Sequence, residues 1–330
     1  MLVLNASDVS ALFGMEEAFA AVTTAAIAHV EGTTSVPPRA ALSLTRPETE
    51  LLVMPGIVEG RSFGLKTWYA MDADVGGLPR SSAVMLLLIP GAGLEAVLDA
   101  GVITDLRTGA MTGVAARHLA RPGAETAAIV GAGIQARTQA VALVHACPSL
   151  REIRVSSRNA ERRAVFTRGL QDELAVLYPA RTIEVVPTDS AEAACRGADV
   201  LVAATTSSRP VIDDAWVGDE ALVCGIGSHT PEAAELDPAT VSRAAVVVVD
   251  THAGGIDGAG DISGPIGSGG VRREDVLELG TLLQEGPPPG LGGVRVFKSV
   301  GFAAADVVAA EMVARAAILH DRGVHFAIHL

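Results

Sequence analysis

The chain has 330 residues, 49% hydrophobic, 19% charged and 3% aromatic, a length that exceeds one ordinary core and a composition that excludes disorder, so two domains built on Ala, Val, Leu and Ile are expected. A net charge of -13 and a pI near 5.0 exclude an electropositive nucleic-acid surface. Cys147, Cys195 and Cys224 form no CxxC pair, which argues against a thiolate metal cage or a disulfide framework and for a reducing compartment. No basic region precedes an apolar run at the N-terminus and no stretch approaches about 18 apolar residues, so neither a signal peptide nor a membrane span is expected, and the cytoplasm is the expected address.

From Asn5 to Gly32 the spacing predicts one amphipathic opening helix, capped by Ser7 or Asp8. Residues 33–100 hold the strand-like runs SVPPRAALSL, ELLVMPGIV, SFGLKTWYA and SSAVMLLLIP, broken by Pro and Gly, which predicts an open or mixed sheet. A helix over DLRTGAMTGVAARHLA follows Asp105-Leu106-Arg107 and stops at Arg121-Pro122-Gly123. The rhythm then becomes strand, helix, strand, with TAAIVG, EIRVSS, TIEVVP, ADVLVAAT, EALVCGIG and AAVVVVD as the strands. Such alternation builds right-handed crossovers and a parallel sheet covered on both faces. The glycine-dense stretch 253–270 and LQEGPPPGLGG are expected loops, VRVFKS a strand and AADVVAAEMVARAAILHDRG a helix.

Chemistry first appears in AAIVGAGIQARTQ. Its G-x-G-x-x-A spacing follows a strand and opens a helix, the context that a dinucleotide site requires. Gly131 allows the tight turn, Gly133 lets the backbone approach a pyrophosphate, Ala136 keeps helix and strand close, and the helix start at Ile134 and Gln135 offers unpaired N–H groups to phosphate. An NAD site usually places an acid about 20 residues past the glycines. Here the second strand ends in Ser156-Ser157-Arg158-Asn159, without an acid. Arg158 can stack on adenine and pair with a 2′-phosphate, Ser157 can donate to it, and Arg162 lies one turn further on. Ser157, Arg158, Asn159 and Arg162 therefore point to NADPH, with NADH as the alternative.

Three cations stand at turns among apolar residues: Arg39 in PPRAAL, Lys66 in GLKTWY and Arg107 in TDLRTGA. Converging cations in a mostly apolar cleft would bind a small carboxylate. Together, PPR with LLVMP, LK with GLPRSSAVMLLL, ITDLRTGAMTGVAARHLARP, IVGAGIQARTQ, ADVLVAATTSSRPV, GIGSHTPEAAELDP and VFKSVGFAAAD resemble the ornithine cyclodeaminase/mu-crystallin family over nearly the whole chain. The resemblance implies an α/β fold. A Rossmann doubly wound parallel sheet at 121–302 would be enclosed by a discontinuous α+β substrate and dimerisation domain at 1–120 and 303–330, and the assembly would be a homodimer. It also implies that Arg39, Lys66 and Arg107 hold the substrate carboxylate, with Met54 a further substrate contact. Thr108 would stand near the cofactor phosphates and nicotinamide, Ser299, Val300 and Gly301 would line the nicotinamide, and Thr205 would be a further cofactor contact.

The family so named holds cyclodeaminases, alanine dehydrogenases and reductases of cyclic imino acids, so the fold alone does not name the reaction. Leu52 stands where cyclodeaminases carry a Glu for the distal amine of ornithine, and His229 where they carry a catalytic Asp. Leucine gives an ammonium no partner, and burying one unpaired costs several kcal/mol. The expected reaction is hydride transfer to a C=N bond beside a carboxylate, with Lys66 and His229 as the candidates for proton transfer. Leu52, Trp68 and Tyr69 suggest an apolar distal wall. The alternatives are a cyclodeaminase with a rearranged amine site, an open-chain amino-acid dehydrogenase, and an NADPH-binding protein without turnover. No metal is expected, since Asp257 and Asp261 lack a compact ligand set and His252, His320, His325 and His329 read as loop or surface residues.

Overall fold

The computed structural model describes residues 1–45, 48–71, 81–92 and 94–327; the Gly-Leu-Pro-Arg part of GLPRSSAVMLLL and His329 lie outside them. After β1 (Leu2–Leu4), the expected opening helix is two helices, α1 (Ala6–Leu12) and α2 (Met15–Val30). Asn5, not Ser7 or Asp8, caps the first: its Oδ1 accepts from the Ser7 and Asp8 amides at 2.9 and 3.0 Å, and Asp8 accepts from the Asn5 amide at 3.1 Å. Gly14 is extended and restarts the helix, its amide donating to Glu17 at 2.9 Å.

Six strands follow: β2 (Thr34–Ser35), β3 (Ala40–Thr45), β4 (Glu48–Val58), β5 (Ser62–Met71), β6 (Ser81–Ile89) and β7 (Leu94–Asp99). Next, α3 (Gly101–Leu119) begins ahead of the expected start, because Asp99 Oδ1 accepts from the Gly101 amide at 3.1 Å and sets the first turn. The strand–helix alternation is carried by β8 (Thr126–Val130), α4 (Ile134–Ala146), β9 (Glu152–Ser156), α5 (Ala160–Leu177), β10 (Glu184–Pro187), α6 (Ala191–Cys195), β11 (Val200–Ala203) and β12 (Leu222–Gly225). It continues through α7 (Pro238–Ser242), β13 (Val246–Val249), α8 (Gly260–Gly267), β14 (Val276–Glu278), α9 (Leu279–Glu285) and β15 (Arg295–Lys298), before α10 (Ala303–Leu319) and β16 (Val324–His325). The glycine-dense stretch expected as a loop thus holds α8, preceded by a π-helical turn over His252–Ile256. Thr251 Oγ1 caps that turn at the Gly254 amide, 3.1 Å away, and the buried Asp261 anchors α8.

Two compact units result, Met1–Arg107 with Phe302–Leu330, and Thr108–Gly301. The expected boundary near 120 follows the Pro-Gly punctuation after α3, whereas the units part inside that helix, between Arg107 and Thr108. In the first unit the strand order is β16-β1-β7-β6-β5-β4-β2 with β3 on β4, antiparallel except for the parallel pair β1 and β7. The second unit is a fully parallel sheet, ordered β10-β9-β8-β11-β12-β15-β13-β14. Its strands β11, β12, β13 and β15 are buried at every position, as a sheet covered on both faces requires. The fold class is α/β.

Candidate active site

In the first unit, strand alternation puts Gly64, Lys66 and Trp68 of β5 on one face, opposite Gly56, Met54 and Leu52 of β4 and Leu87, Met85 and Ala83 of β6. Helix α10 packs on that face because the glycines leave room: a Cβ at Gly56 would lie 3.0 Å from Ala303 Cβ, and one at Gly64 2.7 Å from Val307 Cγ2. Asp306 lies between these contacts on α10. Its Oδ2 is 2.7 Å from Lys66 Nζ, and its Oδ1 accepts from Arg107 Nε at 2.9 Å. Lys66, Arg107 and Asp306 are only 1%, 6% and 1% exposed. Thr104, one turn before Arg107 on α3, accepts from Lys66 Nζ at 3.4 Å.

Burial is the largest influence on Lys66 and pushes its ammonium down; Asp306 opposes this, the Arg107 and Arg39 charges add to it, and the value settles at about 8. Burial pushes the Asp306 carboxyl up, but Arg107 and Lys66 outweigh it and hold the group below the usual carboxylate range. Arg39, half-buried ahead of β3, therefore shares one electrostatic neighbourhood with Lys66 and Arg107. Met54 stands directly across from Lys66.

Among 25 Lys and Arg residues, the chain has two lysines, Lys66 and Lys298, and both are buried. Elsewhere a positive charge is supplied by Arg.

In the second unit, parallel strands bring the turns after β9, β8, β11, β12 and β15 to one edge of the sheet, in that spatial order. Those turns carry Ser157 to Asn159, Gly131 to Gly133, Thr205, His229, and Ser299 to Gly301. Strand order reverses between β8 and β11, where open α/β sheets bind ligands. Gly131 sits at that reversal with φ +134°, and a Cβ there would lie 2.3 Å from the Ala204 carbonyl oxygen. Over Gly133 nothing lies within 4 Å of a notional Cβ. Gly133 brings no capping side chain to α4, Ile134 at its start is 61% exposed, and Ala136 is packed to 0%. On α3, the Thr108 carbonyl accepts from Gln139 Nε2 of α4 at 3.2 Å.

At the end of β9, Asn159 Oδ1 caps α5 at the Arg162 amide, 2.8 Å away, and Ser157 Oγ donates to the Asn159 carbonyl at 3.3 Å. Arg158 and Arg162 are exposed, and among the described residues neither forms an ion pair. Open space over Gly133, an uncapped helix start and an acid-free cationic rim fit a dinucleotide with a 2′-phosphate.

Three acids and a lysine behind this edge were not singled out for these roles in the sequence. Glu235 Oε1 accepts from the Thr205 amide and Oγ1 at 2.7 and 2.5 Å, while its Oε2 accepts from the Gly227 and Ser228 amides at 2.5 and 3.1 Å. Burial raises the Glu235 carboxyl, against the Thr205 hydrogen bond and the field of Lys298. Lys298 Nζ donates to the Ser228 carbonyl and Oγ at 2.7 and 2.8 Å and pairs with Asp261 at 2.8 Å. The turn bearing His229 is thus fixed by buried charge, while His229 itself is exposed, with Nδ1 3.3 Å from the Gly227 carbonyl. Asp250 Oδ2 accepts from Ser299 Oγ and the Val300 and Gly301 amides at 2.9, 2.8 and 2.6 Å, and so shapes the segment expected to line the nicotinamide. The available signals were the scarcity of lysine and the Asp that ends AAVVVVD.

Residues 1–319 match the sequence profile of the ornithine cyclodeaminase/mu-crystallin family. The chain belongs to this family. It is 30% identical over 331 residues to a Delta(1)-pyrroline-2-carboxylate reductase of Bacillus cereus, covering 98% of both chains. The solved Delta(1)-pyrroline-2-carboxylate reductase of Thermococcus litoralis, in complex with NADH and L-proline, superposes with a TM-score of 0.89 at 29% identity, over 99% of this chain and 100% of that one. An archaeal alanine dehydrogenase dimer with bound NAD gives 0.88 at 29%, over 100% of this chain and 99% of that one.

Within the ornithine cyclodeaminase/mu-crystallin family, this member has Leu52 and Trp68 on the face of Lys66, whereas Tyr69 alternates to the opposite face and leaves the expected wall. Among the described residues, no group of three or more His, Cys, Asp or Glu side chains could hold a metal ion.

Proposed function

We propose that this chain reduces a cyclic imino acid of the Δ1-pyrroline-2-carboxylate or Δ1-piperideine-2-carboxylate type to the cyclic amino acid, with NADPH preferred and NADH as the second choice. The observation that carries the reading is the buried cluster of Lys66, Arg107 and Asp306, which keeps a net positive charge on a face otherwise apolar at Leu52 and Met54. Arg107 and Arg39 hold the substrate carboxylate. Lys66 steadies that carboxylate and holds the proton that the ring nitrogen takes, and Met54, Leu52 and Trp68 wall the ring. His229 is the second candidate for proton transfer. Asp306 is already shared between two cations, so it offers nothing to the distal ammonium of a diamine, which disfavours ornithine cyclisation.

When bound, the dinucleotide supplies the hydride. Gly131, Gly133, Ile134, Gln135 and Ala136 would hold its pyrophosphate. Ser157, Arg158, Asn159 and Arg162 would hold its 2′-phosphate, and Thr108, Thr205, Ser299, Val300 and Gly301 would stand along its nicotinamide half. The likeness to reductases over the full chain supports this assignment.

The proposed assembly is a homodimer. Its support is the outer face of the first sheet, where Ile57, Phe63 and Leu88 stand in one row and Leu86 and Val84 in the next two, each exposed.

Loss of NADPH absorbance, measured with a panel of cyclic imino acids, with pyruvate plus ammonia, and with ornithine, tests the reaction. Turnover with the cyclic imines alone is expected. Turnover with pyruvate and ammonia alone would make the chain an open-chain amino-acid dehydrogenase, ornithine loss without net NADPH loss a cyclodeaminase, and no turnover a binding protein.

A further inference from the structure

Lys66 meets charge from three directions. Asp306 reaches it from α10, Arg107 from α3 and Arg39 from the segment ahead of β3, while Thr104 adds a hydroxyl and the strand neighbours Met54 and Met85 add none. We infer that Asp306 is a positioning residue, which shares one carboxylate between Lys66 and Arg107 and so keeps Lys66 charged and aimed while leaving it able to give up its proton. This rests on the reading of Lys66 as the proton source in imine reduction.

Charge balance matters here because all three groups are nearly closed off from solvent. With Asp306 ionised, the three buried groups carry one net positive charge, which one substrate carboxylate offsets. In the proposed step the proton leaves Lys66 Nζ for the ring nitrogen as the hydride of the reduced dinucleotide reaches the ring carbon; the C=N bond becomes CH–NH and the dinucleotide is oxidised. Lys66 is then neutral, and Asp306 still has Arg107 at 2.9 Å. The Asp306 carboxylate is thus not left without a cation, the substrate carboxylate keeps Arg107 and Arg39, and solvent later returns the proton to the lysine. A carboxylate paired with Lys66 alone would lose its partner in the step and oppose it.

Without Asp306, two buried cations would face each other with Arg39 nearby. A guanidinium does not deprotonate, so the strain would be relieved at Lys66. Asp306→Asn keeps the shape and an acceptor oxygen, and release of the Lys66 proton offsets the lost charge, so the variant is expected to fold at pH 8.

With two lysines in the chain, the Nζ signals of 15N-lysine-labelled protein can be assigned with Lys66→Arg and titrated without substrate or dinucleotide. Lys66 is expected to lose its proton near pH 8 in the wild type, at least about one pH unit lower in Asp306→Asn, and at the wild-type position in Asp306→Glu. The pH profile of kcat/KM for the imine should follow: activity falls as pH rises through the Lys66 transition, and in Asp306→Asn that fall moves to lower pH, with a loss of roughly fivefold or more at pH 8 that lessens as pH is lowered. An unchanged Nζ titration in Asp306→Asn, a loss of activity uniform across pH, or a folded Asp306→Glu whose Lys66 transition moves down as far as that of Asp306→Asn would overturn the inference. Absence of wild-type turnover with every cyclic imine would instead end the functional reading, and the Nζ titration would still decide Asp306.

Discussion

Gly131 and Gly133 are two positions apart and answer to different constraints. Gly131 has φ +134° and would drive a Cβ into the Ala204 carbonyl at 2.3 Å, whereas Gly133 has nothing within 4 Å. Gly131→Ala should therefore lower the melting temperature, with a cost of roughly 2 kcal/mol or more. Gly133→Ala should melt like the wild type yet bind NADPH about tenfold more weakly, because its methyl occupies the space over which a pyrophosphate would lie. Thermal melts with NADPH fluorescence titrations check both, and wild-type affinity in Gly133→Ala would count against the dinucleotide site. At this scale, the burial of Lys66 and Arg107 was legible because their apolar flanks argue against a solvated role. Asp306 was not, since it lies 199 positions from Arg107 and no local pattern encodes a pairing across that distance. Lys298 was visible only as one of two lysines in an arginine-rich chain.

Between β9 and α5 the acid-free turn, with Arg158 and Arg162 both exposed, is where the proposed dinucleotide choice belongs. Replacing both arginines with Ala should cost NADPH roughly 2 kcal/mol of affinity, about thirtyfold, and leave NADH nearly unchanged, since only the former presents a 2′-phosphate. Parallel titrations of the two dinucleotides measure this, and equal losses would contradict it. The parallel-sheet elements were readable because their strands are continuous apolar runs, such as Val246–Val249. The opening segment was misread as one helix because its apolar spacing runs through Gly14, while the break is made by the Glu17 carboxylate on the Gly14 amide. Neither the π-helical turn nor α8 shows in 253–270, where Thr251 and Asp261 hold the helices through side-chain bonds and glycine hides the periodicity. Strands β1 and β7 escaped for another reason: three residues at the N-terminus carry no period, and their partner lies over ninety positions on, with Leu2 opposite Ala96.

The whole molecule divides within α3, in the middle of a continuous helix. On the first unit, one sheet face is closed by α10 and the other exposes Phe63, Val84, Leu86 and Leu88. An apolar face of that kind calls for a partner, and a second copy is the proposed one. Sedimentation should find a dimer in the wild type and a monomer in Phe63→Asp/Leu86→Asp; a monomeric wild type would refute the assembly. Fold class and family were legible from motifs that span the chain, whereas the balance of charge at Lys66 emerged only with α10 in place.

The most direct measurement of the central claim is the rate of NADPH oxidation with Δ1-pyrroline-2-carboxylate by the wild type, Lys66→Ala and Arg107→Ala. Lys66 and Arg107 are expected to be needed for both carboxylate binding and turnover, so each variant should lose about a hundredfold or more in kcat/KM while still binding NADPH. Wild-type turnover in both variants would contradict the account.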